Sequence, residues 1–273
     1  MTILCRVLMV YPKFIPNSFW NYTEACELVG AKYPAAPLGL ITVAAMLPKH
    51  WDIRLVNRNT EPLTDADLDW ADLVMIGGML NQQPDFIYLI DLAHLHGKPV
   101  CVGGPDVSSS PHLYADADFQ VIGEAEQIIQ HFIAAWESGE RKGVFIAEKF
   151  KIDVTLSPMP RYDLIKFDHY LFMGVQYSRG CPFTCEFCDI IELYGRVPRT
   201  KTTIRFSPSC KRSTITVIAA TSISSTTISS ATRKIFARCC RGSKPGWKSE
   251  TIRSSSQPKP RSISRTTTTC CRR

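Results

Sequence analysis

The chain has 273 residues, 45% of them apolar, with eleven cysteines and a net charge of +7. That apolar share is enough for a buried core, which argues against a wholly disordered chain, and no run approaches the ~18 uninterrupted apolar residues of a membrane-spanning helix. The positive charge does not point to nucleic acid, because residues 1–202 hold 17 Lys/Arg against 24 Asp/Glu, a net −7, while residues 203–273 hold 15 Lys/Arg and the single acid Glu250, a net +14.

The first ten residues carry Arg6 inside a short apolar run and read as a strand rather than a signal peptide. The chain is therefore expected in the cytoplasm, where clustered cysteines bind metal more often than they pair. Strand character over Ile3–Val10 is followed by a helical pattern over Leu38–Leu47, with Pro37 in its first turn and Pro48 at its end. Further strands are expected at Ile53–Asn57, at Leu73–Ile76 closed by Gly77-Gly78, at Pro99–Val102 closed by Gly103-Gly104-Pro105, and at Phe119–Ile122 ending on Gly123. Helices are expected at Phe86–His96 and Ala125–Trp136. Continuously apolar strands separated by helices mean a parallel sheet covered on both faces. Residues 1–148 are thus an α/β, doubly wound domain, with ligands expected beyond the carboxyl ends of the strands. The glycines that close three strands either admit a cofactor to the backbone or only make tight turns.

Several polar residues read as structural. Glu124 and Glu126 suit the N-terminal dipole of a helix, and Asp65, Asp67, Asp69 and Asp72 read as a solvated face. His94 and His96 flank a helix end, and Cys5, Cys26 and Cys101 read as packed thiols in or near the sheet.

Residues 149–172 carry Pro158 and Pro160 without periodicity and read as a linker; Met173–Tyr177 then reads as a short strand. It runs into Ser178-Arg179-Gly180-Cys181-Pro182-Phe183-Thr184-Cys185-Glu186-Phe187-Cys188, a C-x3-C-x2-C spacing. Three thiolates on one loop can hold three irons of a cubane cluster and leave the fourth open to a chelating molecule. A closed zinc site is the alternative, with His169 as the nearest fourth ligand.

This spacing after a strand, with the aromatic Phe187 before the last cysteine, resembles the signature of radical SAM enzymes. The resemblance implies a [4Fe-4S] cluster on Cys181, Cys185 and Cys188 that binds S-adenosyl-L-methionine and cleaves it to a 5′-deoxyadenosyl radical. It also implies contact of Phe187 with the adenine region. Residues 173–202 would then be the first strand and cluster loop of an incomplete (β/α) barrel. Pro37-Leu38-Gly39, Gly103-Gly104-Pro105 and Val121-Ile122-Gly123-Glu124-Ala125-Glu126 resemble the Rossmann-like cobalamin-binding domain that precedes many such barrels. By that resemblance Pro37, Leu38, Gly39, Gly77, Gly78, Gly103, Gly104, Gly123 and Glu124 would line a cobalamin site. Ile190 to Thr202 looks like the branch that contains hopanoid methylases. The Asp-x-His-x-x-Gly triplet of many cobalamin domains does not occur, and Tyr11-Pro12-Lys13-Phe14 follows the first strand. Either cobalt lacks that histidine ligand here, or the domain has lost cobalamin and serves as a scaffold.

The resemblance covers residues 1–202 and implies a cobalamin-dependent methyltransferase acting on an unactivated carbon, with a hopanoid or other isoprenoid lipid as the expected substrate class. An electron donor such as flavodoxin or ferredoxin goes with that reading. Rearrangement or cyclisation without methyl transfer, and a non-catalytic corrinoid-binding module, are the other readings.

From Thr203 the character changes: 27 of 71 residues are Ser or Thr, and Leu, Asp, Asn, Tyr and His are missing. A Ser/Thr/Arg-rich disordered tail is the plain explanation. Moving the reading frame back by one base turns Ser into Phe, Leu, Ile or Val, and Thr into Tyr, His, Asn or Asp. Ser224 to Lys234 then re-reads as FVDDNFIGNKK, which has strand-like patterning. The expectation is a frameshift near residue 202, an inactive fragment as written, and a tail with no face to bury.

Overall fold

The computed structural model describes residues 4–18, 21–174, 176, 178–186 and 188–201. The expectations for Phe187 and for the tail from Thr203 lie outside these residues. At its centre is a six-stranded, all-parallel sheet of order β3-β1-β4-β5-β6-β7. Its strands are β1 (Arg6–Tyr11), β3 (Asp52–Asn57), β4 (Leu73–Gly77), β5 (Val100–Gly103), β6 (Phe119–Ile122) and β7 (Gly143–Ile146).

Strand alternation divides the apolar residues between two cores. Val7 and Met9 of β1 face one way, with Leu73 and Met75 of β4, onto Ala44 of α2 (Leu38–Ala44) and Ile128, Ile129, Phe132 and Trp136 of α6 (Ala125–Glu137). Leu8 and Val10 face the other way, with Val74 and Ile76, onto Leu68 of α3 (Asp65–Trp70) and Phe86, Leu89, Ile90 and Ala93 of α4 (Gln83–Leu95). Both helix sets follow the i, i+3, i+4, i+7 stripe that puts one face on a sheet. Each such fully buried side chain contributes roughly 1.5–3 kcal/mol over its exposed state. The expected doubly wound domain is therefore present.

Details differ. β1 is shifted toward its carboxyl end, because Asp72 takes the backbone N–H and the guanidinium of Arg6 and fixes where the ladder begins. α2 stops at Ala44 rather than Leu47. Several short elements were not foreseen, two of them beside the central sheet. α3 is short, and Thr64 and Asp67 cap it reciprocally. β7 adds a sixth strand at the sheet edge with Val144 and Ile146 exposed, although Val144-Phe145-Ile146-Ala147 is an unbroken apolar run.

Residues 149–172 are more than a connection. Tyr162, Ile165, Tyr170 and Met173 bury with Phe14, Tyr33 and Ile41 in a third cluster. β8 (Tyr170–Phe172) pairs in parallel with β2 (Tyr33–Ala35). Met173, Gly174 and Gln176 are not strand, against the expected Met173–Tyr177; extended pairing falls on either side, at β8 and at β9 (Ser178–Arg179). The ladder forms where a partner backbone exists, and β2 offers one only as far as Ala35.

Candidate functional site

Three loops leave the carboxyl ends of β4, β5 and β6 and pack on each other. A methyl group on Gly77 would stand 3.1 Å from Leu40 Cδ2, so the first turns of α2 lie against the end of β4. At Gly104 (φ +100°) it would stand 3.1 Å from the Gly78 carbonyl oxygen and 3.2 Å from its nitrogen. Ser108 then stitches the next loop in: its hydroxyl donates to the Gly104 carbonyl at 2.8 Å and accepts from Gly123 N–H at 2.8 Å. Gly77, Gly78, Gly103, Gly104 and Gly123 thus do converge on one edge, and what fits against them is neighbouring chain. Gly39 is different, being exposed with nothing within 4 Å of an added methyl. Pro37 is buried and Leu38 half-buried beside it.

The loop after β1 is held down on the same edge. Gln82 donates to the Pro12 carbonyl while its oxygen accepts from Met79 N–H at 3.0 Å. Asn59 bonds Phe14 N–H and the Pro12 carbonyl, each at 3.0 Å.

The cysteine segment reaches this edge through charge. β9 pairs antiparallel with β10 (Arg199–Thr200), which sets Arg179 opposite Arg199 on one face of the ladder. Arg179 donates to Glu124 and Glu126, each at 2.9 Å from one nitrogen, again to Glu126 from the other, and to Gln176 at 2.8 Å through Nε. Arg199 donates at 2.8 Å to the second Glu124 oxygen and at 3.0 Å to the carbonyls of Ile152 and Tyr194. Burial alone would raise the Glu126 carboxyl, but the hydrogen bonds and charge of Arg179, with Ser157, outweigh it and hold the group near 2. Lys201 is lowered by burial and by the charge of Arg179.

Cys181 follows Arg179 by two residues, is 3% exposed, and its N–H donates to the Gly195 carbonyl at 3.0 Å. Between them Gly180 (φ +95°) passes so close that a methyl would stand 2.7 Å from the Val197 carbonyl oxygen. Cys185 is exposed and Cys188 half-buried, joined by a turn in which Cys188 N–H donates to the Cys185 carbonyl at 3.1 Å. The structure places the three thiols on one short loop without gathering them: among the described residues no three His, Cys, Asp or Glu side chains stand together as a metal site. Loop closure and metal binding are coupled in such sites, since the ligands converge on the metal.

Other candidates have structural partners. His94 sits 2.9 Å from Asp118, and His96 3.2 Å from Asp69. Asp67 serves the α3 cap and Asp72 binds Arg6. His169 is buried in the turn before β8, its carbonyl accepting from Lys32 N–H at 2.9 Å, and burial and Lys32 lower its pKa. Cys5, Cys26 and Cys101 are buried. The residues that sequence reasoning missed are Arg179 and Arg199. Their signal was weak: two arginines flanking a cysteine loop, 55 and 75 residues from the acid they share.

Among solved structures, TsrM from Kitasatospora setae, a radical S-adenosylmethionine methyltransferase with cobalamin and a [4Fe-4S] cluster bound, superposes with a TM-score of 0.50 at 15% identity over 73% of this chain and 44% of that one. In sequence, the chain is 51% identical over 198 residues to an uncharacterised methyltransferase of Synechocystis, covering 72% of this chain and 37% of the relative. It is 39% identical over 204 residues to hopanoid C-2 methylase of Rhodopseudomonas palustris, covering 72% of this chain and 38% of that protein. No protein-family profile matches. In sequence the chain is thus similar to methyltransferases, hopanoid C-2 methylase among them, and in fold to a cobalamin-binding radical S-adenosylmethionine methyltransferase. It spans under two-fifths of the length of these two relatives, 37% and 38%. No helix among the described residues is long and apolar enough to cross a membrane.

Proposed function

We propose that residues 4–201 are the corrinoid-binding domain and cluster loop of a radical SAM methyltransferase acting on a hopanoid or other isoprenoid lipid. The observation that carries this reading is the placement of the C-x3-C-x2-C loop at the carboxyl edge of a doubly wound sheet, where such folds take their ligands. The relatives' names support methyl transfer, and that of the 39% identical one supports the lipid class.

The residues present fit the implied groups. Three thiols at this spacing are the donor set of a cluster with one open iron, and the exposed Cys185 and half-buried Cys188 are accessible to it. The Ser178 hydroxyl, buried with no hydrogen-bond partner among the described residues, stands just ahead of the loop as a donor for a polar cofactor group. On the corrinoid side, Gly39 at the start of α2 has open space over it, with Pro37 and Leu38 shaping the floor.

In this reading Cys181, Cys185 and Cys188 would hold the cluster, and the adenine contact of Phe187 is what the family resemblance implies. When bound, the cluster with S-adenosylmethionine supplies a substrate radical, and the corrinoid supplies the methyl group. The chain's own part is to hold the two cofactors facing one substrate and to keep water and oxygen out. The reductant would be a small electron carrier such as flavodoxin or ferredoxin. We attribute residues 203–273 to a one-base shift in reading frame. The 198 residues aligned to the Synechocystis relative nearly equal the segment before that change.

The change at Thr203 also favours a second reading, in which the chain as written binds a corrinoid and turns nothing over. Anaerobic reconstitution separates the two. An enzyme takes up iron and sulfide and converts S-adenosylmethionine to 5′-deoxyadenosine, and C185A abolishes both. A binding module shows corrinoid absorbance alone, and C185A leaves it unchanged. Sequencing the gene across the codons for Arg199 to Cys210 decides whether the frame continues into a full barrel.

A further inference from the structure

Glu124 stands where the family resemblance put a cobalamin contact, yet both of its carboxylate oxygens are taken. Arg179 holds one at 2.9 Å and Arg199 the other at 2.8 Å, and the Glu124 side chain is 3% exposed. Glu126 is bound by both terminal nitrogens of Arg179 and by the Ser157 hydroxyl. The β9–β10 ladder it meets is two residues long on each side, and a hairpin of that size does not persist alone in water. Cys181 begins the loop two residues after Arg179 and is bonded back to Gly195. The anchorage of the cysteine loop therefore comes from outside the hairpin, and these buried ion pairs supply it. Such pairs fix geometry more than they add net stability, because desolvation offsets much of their attraction.

We infer that Glu124 and Glu126 are positioning residues for the cysteine loop rather than corrinoid contacts. They grip Arg179 and Arg199 and so set where Cys181 stands over the sheet edge. The link from this grip to methyl transfer rests on the function proposed above; the grip itself does not. It joins the loop after β6 to the cluster loop, so the two cofactor-bearing halves keep a fixed separation.

The test is hydrogen exchange on the full chain without cofactors, comparing wild type with E124Q, R179A and R179K, together with titration by hydroxocobalamin. Exchange across residues 178–188 and 195–200 should rise tenfold or more in E124Q and R179A, and less in R179K, while the β1, β4 and β5 amides stay unchanged. Hydroxocobalamin affinity should stay within twofold in E124Q. The charge-swapped double variant E126R/R179E should recover part of the lost protection, which a merely space-filling role would not give. After reconstitution, R179A should release iron to a chelator faster than wild type, with R179K between them. Unchanged exchange in R179A, or a tenfold loss of hydroxocobalamin affinity in E124Q, overturns the inference. If E124Q does not fold, R199Q removes one of its partners and is read the same way. If wild type takes up neither corrinoid nor iron, the proposed function falls, and the exchange data still decide the grip.

Discussion

Gly104 is a point where the sheet edge tolerates little change. Its backbone sits at φ +100° and ψ −175°, a region open to glycine and costing an L-residue roughly 1–3 kcal/mol. A methyl there would also press on backbone, at 3.1 Å from the Gly78 oxygen and 3.2 Å from the Gly78 nitrogen. No flexible side chain can give way, so the β4 and β5 loops must part, and overpacking of that kind adds about 1–3 kcal/mol. Together G104A should cost about 4 kcal/mol, a large share of the roughly 5–15 kcal/mol typical of a domain. For a domain of this size each kcal/mol lowers Tm by about 2–4 °C, so the melt should fall by about 10 °C. Thermal and urea unfolding of the full chain, followed by far-UV circular dichroism, reads this directly. A G104A melt within about 2 °C of wild type would refute the argument that these glycines exist for backbone approach between loops.

The reverse sign is expected at Gly39, which is exposed in α2 with nothing near it: G39A should stabilise the apo fold by up to about 1 kcal/mol while weakening hydroxocobalamin binding, and unchanged binding would remove Gly39 from the corrinoid face. Acid should loosen the cysteine hairpin first. Glu126 is depressed from its ordinary 4.5 to about 2, so its contribution is full above pH 4.5 and is lost as pH falls toward 2, about 3 kcal/mol in all. Exchange at residues 178–188 should rise across that window, and protection that grows on acidification would contradict the sign. Alkylation of the unloaded chain should label the exposed Cys185 and spare Cys5, whose thiol burial and then Asp72 push up to about 12; mass spectrometry of the labelled peptides checks it.

The sheet was legible because its signal is local. Val7 to Val10 and Leu73 to Ile76 are apolar without a break, as only strands buried on both faces are. Gly77, Gly103 and Gly123 mark where those strands stop, and the structure gathers them on one edge. β7 was missed although Val144-Phe145-Ile146-Ala147 is also apolar without a break; it is a short run that pairs as an edge strand, with Val144 and Ile146 facing outward. The segment 149–172 looked like a linker because Tyr162, Ile165 and Tyr170 have no period, yet each finds a place against Phe14, Tyr33 and Ile41. Tertiary burial of irregular chain leaves no repeating trace in the sequence. The cysteine spacing was legible as chemistry, while the thiols' separate burial was not.

Glu124 and Glu126 show why a local reading can be sound and incomplete. Glu126 does lie in the first turn of α6, where a carboxylate suits the helix dipole. That role is satisfied by any acid in the turn and would leave the side chain in water. Here both side chains are buried, at 3% and 7% exposure, which costs far more than a dipole returns unless paired charges meet them. Arg179 meets them in a way lysine could not. Its planar fork reaches Gln176, Glu124, Glu126 and Ser157 from three nitrogens at once, so the guanidinium fixes direction as well as charge. A lysine at 179 would keep the attraction and lose the orientation of the strand that leads into Cys181. Place, more than net stability, is what these four side chains contribute to the sheet edge.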